Sequence, residues 1–65
     1  MDRKKFYFKN SDTAKEFQQA VLRAVPSAKT SCSGSSVSVE IATYSDFDRA
    51  YDLARYYGFT KEESL

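Results

Sequence analysis

Few groups in this chain could do chemistry, and their spacing narrows what that chemistry could be. Asp48 and Asp52 stand one helical turn apart, a spacing at which two carboxylates could divide general acid and general base work. Such work needs a desolvated cleft that separates the two pKa values, and a chain of 65 residues has little interior to build one. The pair is expected to be solvated. Cys32 is the only thiol and the chain has no histidine to serve as its base. It reads as a small packing residue, an internal disulfide is excluded, and the usual zinc ligand sets are missing. The serines between Ser31 and Ser38 lack both a base and the glycine spacing of a phosphate loop, so they read as hairpin solubility. The inventory predicts no catalytic residue, no metal site, no cofactor and no enzyme.

Binding chemistry is better represented. Tyr44, Tyr51 and Arg55 follow one another at spacings of seven and four, which places them along one helix face, with Asp48 and Asp52 beside them. Tyrosine and arginine are enriched among the residues that dominate protein interfaces, so Tyr44, Asp48, Tyr51, Asp52 and Arg55 form the leading candidate for a partner-binding patch. The competing reading has these rings lying flat over the domain edge and closing a small core. A second candidate surface combines Lys5, Tyr7, Lys9 and Lys29, an aromatic bordered by lysines on an open sheet face, where a base could stack. Tyr7 is its only outward ring, and Glu40 on the same face would repel phosphate.

Elements must hold these groups in place. Lys4 to Lys9 sets three consecutive aromatics between flanking lysines and reads as a strand with Phe6 and Phe8 inward. Asn10-Ser11-Asp12-Thr13 signals a helix start, with Ser11 the expected cap. Ala14, Phe17, Val21 and Ala24 then recur at helical spacing until Pro26 ends the run. Ala28 to Cys32 and Ser36 to Ile41 form two alternating runs around a Ser33-Gly34 turn, a register that sets Thr30 against Val37 and Ala28 against Val39. Val37, Val39 and Ile41 face the core. Thr43 to Asp46 opens a second helix with the apolar stripe Phe47, Ala50, Leu53, Ala54 and Tyr57. Gly58 stops it in a left-handed conformation, and Phe59 folds back. Thr60 to Leu65 is expected to fray.

The order strand, helix, strand, strand, helix predicts a two-layer α+β domain. A right-handed crossover followed by a hairpin gives a three-stranded antiparallel sheet in the order 1-3-2, with both helices on one face. In topology alone, this layout resembles a ferredoxin-like fold lacking its last strand. The alternative is a homodimer, with a second copy completing the sheet across an open edge.

Composition bounds the partners. Ten basic and nine acidic residues leave a net charge of +1, which gives no bulk attraction to nucleic acid or anionic membrane. No apolar run approaches the roughly 20 residues that span a bilayer, and the lysine-rich start lacks the apolar region of a signal peptide. A reducing cytoplasm is therefore the expected location. A hydrophobic content of 42% with 15% aromatics supports a folded domain. The expectation is a non-enzymatic protein-binding module, monomeric or homodimeric, that occupies a surface of a larger partner. In format it resembles small phage or plasmid inhibitors such as anti-CRISPR proteins, a likeness that no residue motif carries. Nucleic-acid binding on the open sheet face is the alternative.

Overall fold

The computed structural model of the protein describes residues 2–65. Six elements follow one another: β1 (Asp2–Tyr7), α1 (Ser11–Ala24), β2 (Lys29–Ser33), β3 (Ser36–Ile41), α2 (Tyr44–Tyr57) and β4 (Lys61–Ser64). All neighbouring strands are antiparallel, in the order β2-β3-β1-β4. The expected order 1-3-2 is contained in this sheet, but a three-stranded sheet is not what forms. Residues 61–64, expected to fray, pair along β1 from Lys61 opposite Tyr7 to Ser64 opposite Lys4. β1 thereby becomes an interior strand instead of an edge. The arrangement is the full β-α-β-β-α-β, ferredoxin-like order rather than one missing its last strand.

Backbone bonding explains why β4 forms without an apolar pattern. Gly58 closes α2 at φ 75°, with its own N–H bonded to the Arg55 carbonyl and the Phe59 N–H bonded to the Ala54 carbonyl. This pair of bonds is the Schellman stop, and it turns the chain back toward the sheet. The Thr60 N–H then donates to the Tyr7 carbonyl at 2.7 Å and the Leu65 N–H to the Arg3 carbonyl at 3.0 Å, fastening the new strand at both ends.

The hairpin keeps the predicted faces but shifts in register. Ser33 stands opposite Ser36, Cys32 opposite Val37 and Thr30 opposite Val39, two residues from the expected pairing. The turn residues are Gly34 and Ser35, and Gly34 has φ 59°. A positive φ at the first turn position suits the type II′ hairpin, which asks for glycine there. An even shift leaves every side chain on its original face.

The inward face is covered by both helices. Phe6, Phe17, Val21, Val37 and Val39 are fully buried, joined by Phe8, Ile41, Phe47, Ala50 and Ala54. Phe6 sits at the centre of an aromatic cluster, edge-on to Phe17 at 5.5 Å, to Phe59 at 5.4 Å and to Tyr51 at 5.8 Å. Each such pair adds about 0.5–1.5 kcal/mol beyond the area it buries. At the start of α1 the cap is Asn10 rather than Ser11: its side-chain oxygen accepts the Thr13 N–H at 2.8 Å. Among the described residues the opposite face of the sheet carries no helix.

Candidate functional site

α2 places two neighbouring stripes on one cylinder. Phe47, Ala50 and Ala54 are buried, and the helical period then turns Tyr44, Asp48, Tyr51, Asp52 and Arg55 toward the flank of the domain. There they meet Arg3 and Lys4 of β1 together with Ser64 and Leu65, and these groups line one cleft of about 710 Å³. The five residues predicted as a partner surface thus share one depression, whose second wall is the sheet. That volume lies within the range of ligand-sized clefts.

The rings of this region divide into fixed and free. Tyr51 is half-buried, edge-on to Phe6 and to Phe59 at 5.7 Å. The Arg55 guanidinium lies 4.8 Å from its ring centre and the Lys4 ammonium 5.2 Å. Its hydroxyl donates to the Glu62 carboxylate, whose other oxygen accepts from Lys4 Nζ at 3.0 Å. For Tyr51 the competing reading of the sequence therefore holds in part, because the ring closes the core edge while also lining the cleft. Tyr44 is the reverse case, 83% exposed. Arg55 also reaches Asp52 at 3.5 Å, a solvent-exposed pair of small energetic weight.

The Lys4–Glu62–Tyr51 chain shapes the local electrostatics. The Tyr51 hydroxyl and then the Lys4 ammonium hydrogen-bond to Glu62 and hold its carboxyl below the usual range. The same carboxylate accepts the hydrogen bond from the Tyr51 hydroxyl and, with burial, pushes that phenol above its ordinary value. Glu62, Lys4 and Arg3 escaped the sequence reading. Lys4 shares the parity of Phe6 and Phe8, which puts it on the helix-covered face, and a lysine there calls for an acidic partner. That signal was available; the identity of the partner was not, because it arrives on β4.

On the open face, β1 contributes Arg3, Lys5 and Tyr7, β4 contributes Lys61 and Glu63, β3 contributes Ser38 and Glu40, and β2 contributes Lys29 and Ser31. Three of the four residues predicted for this surface, Lys5, Tyr7 and Lys29, share the face, while Lys9 is exposed just past the end of β1. The Lys5 and Lys61 ammoniums lie 5.4 Å and 5.5 Å from the Tyr7 ring centre, and the Tyr7 hydroxyl donates to Glu63 at 3.3 Å. Ser36, placed outside by its alternation, is buried across the ladder from Tyr7 and donates to the Ser33 carbonyl at 2.9 Å.

Asp48 and Asp52 are both exposed, and Cys32 is a half-buried free thiol whose one bond is to the Gly34 carbonyl at 3.9 Å. Among the described residues no group of three or more His, Cys, Asp or Glu could hold a metal ion, and no helix is long and apolar enough to cross a membrane. The fold and the cleft define a small α+β domain with a surface depression. No family model matches the chain, and no curated protein or solved structure is significantly similar to it.

Proposed function

We propose that the chain is a non-enzymatic protein-binding module that engages a larger partner through the cleft between α2 and the β1–β4 edge. The observation that carries this reading is the convergence of Tyr44, Asp48, Tyr51, Asp52 and Arg55 on that one depression. The energetic logic is preorganisation. Tyr51 is already held by Glu62, Phe6 and Phe59, so a partner packing on its exposed edge does not have to order it, which removes part of the usual cost of association. Tyr44 supplies free aromatic area at the rim, and Arg55 can form the planar, bidentate contacts that guanidinium favours. A module of this kind would act by occupancy, blocking a surface of a larger protein complex in the manner of a small phage- or plasmid-type inhibitor.

The test should leave Tyr51 alone, since removing its ring also opens the core edge. Photo-crosslinking from position 48, exposed in the same cleft, should capture a partner from the native host. The double change Tyr44→Ala with Arg55→Ala should abolish that capture while the circular dichroism spectrum stays that of the parent chain. Undiminished capture by the folded double variant would remove the cleft from consideration.

A further inference from the structure

We propose that the open sheet face is a second binding surface, for single-stranded nucleic acid, with one base stacked on Tyr7. The sheet assembles a charge asymmetry that the composition conceals. Arg3, Lys5, Lys29 and Lys61 share this face and Lys9 flanks it, against two carboxylates, Glu40 and Glu63. The face therefore carries a formal excess of three positive charges in a chain whose total is +1, which leaves the remainder of the molecule at −2. Of these five cations only Arg3 is in an ion pair among the described residues, with Glu40 at 3.5 Å.

The ring and its lysines are arranged for exchange. Lys5 and Lys61 rest near the Tyr7 ring at 5.4 Å and 5.5 Å with no carboxylate in ion-pair range. A base arriving on that ring would displace both ammoniums onto its own flanking phosphates, trading two weak cation–π contacts for stacking and two charge-assisted bonds. Along β1, Tyr7, Lys5 and Arg3 recur on this face at steps of about 6.8 Å, so a strand laid along β1 meets a ring and then two cations in line. Beside them Ser31 and Ser38 line a shallow depression of about 310 Å³ bordered by Arg3 and Lys29, with Glu40 between them already paired to Arg3. Small hydroxyls leave room for a nucleotide to lie flat and can bond sugar or phosphate. With one ring on the face, recognition is of backbone and of any base, without sequence preference.

Anisotropy of fluorescein-labelled oligo-dT and oligo-U of about ten nucleotides, titrated with the full chain up to about 100 μM, tests this directly. Binding should appear at about 50 mM salt and weaken steeply toward about 200 mM. Tyr7→Ala should weaken it roughly tenfold. Lys5→Gln with Lys61→Gln should flatten the log–log salt dependence by about 1.4, the share of two phosphate contacts on a single strand. Tyr44→Ala, which alters only the cleft, should change nothing. The proposal is overturned by an absence of binding at low salt, by a salt slope unaltered in the lysine pair, or by a folded Tyr7→Ala chain that binds as tightly as the parent. It is equally overturned if poly-glutamate of matched charge displaces the oligonucleotide at equal concentration, which would describe a surface for acidic protein. The lysine variants keep the test decisive should Tyr7→Ala fail to fold.

Discussion

Tyr51 and Glu62 show how one hydrogen bond ties a binding surface to the stability of the fold. Glu62 has a folded-state pKa below its ordinary value, because its charged form accepts from Tyr51 and Lys4. Its contribution is therefore present above the usual glutamate pKa and is lost as pH falls through the lower, folded-state value. Tyr51 runs the other way. Its pKa is raised, since the carboxylate holds its proton, so its contribution is present below about 10 and is lost as pH rises through the higher folded-state value. Thermal melting against pH should show a plateau bounded by a decline on each side. Tyr51→Phe, which keeps the ring against Phe6 and Phe59, should remove the alkaline decline and weaken the acid one, and Glu62→Gln should weaken both. Profiles identical to the parent in both variants would mean the hydrogen bond contributes nothing. A lysine on the covered face is tolerated here because Glu62 meets it at 3.0 Å.

Elements are held in place by a few positions with outsized leverage. Phe6 binds sheet to both helices through its three ring contacts, and truncating a buried phenylalanine costs about 3–5 kcal/mol. A domain of this length has roughly 3–10 kcal/mol in total. Phe6→Ala should therefore abolish the cooperative urea transition or move it close to zero denaturant. Gly58 has leverage of a different kind. A Cβ there would meet nothing within 4 Å, so the cost of Gly58→Ala is conformational alone, about 1 kcal/mol for a non-glycine residue at positive φ. Asn10→Ala should cost a similar amount, about 1 kcal/mol, through loss of the α1 cap. Equilibrium urea unfolding of both variants checks these values, and a neutral Gly58→Ala would contradict the left-handed stop.

Across the whole molecule, β4 decides how the sheet ends. Without it, β1 would present an unpaired edge carrying Lys4, Lys5, Phe6 and Tyr7, and Tyr51 would lose Glu62. Deletion of residues 61–65 is expected to lower the melting temperature and to produce larger, concentration-dependent species by light scattering, as the exposed edge of β1 pairs with other copies. An unchanged mass would count against that role. The two proposed surfaces lie beside α2 and on the bare sheet and meet at Arg3 and Leu65, so Tyr44 and Tyr7, which they do not share, are the positions whose variants separate them.

The sequence by itself determined what repeats locally. Period-two alternation fixed which face each of the first three strands turns inward, helical spacing fixed the buried stripes of α1 and α2, and Gly58 fixed where α2 stops. It also placed Tyr44, Asp48, Tyr51, Asp52 and Arg55 on one helix flank. These features carry a burial signature in residue types. β4 carries none: Lys61, Glu63 and Ser64 are exposed, and the strand exists because its backbone pairs with β1, a partner more than fifty residues away in the chain. The hairpin shift by two residues is equally silent, because an even slip exchanges no faces. Only the tertiary structure could bring Glu62 to Lys4 and Tyr51, and Lys61 to Tyr7, since backbone pairing at a sheet edge depends on hydrogen-bond geometry that side-chain composition does not encode.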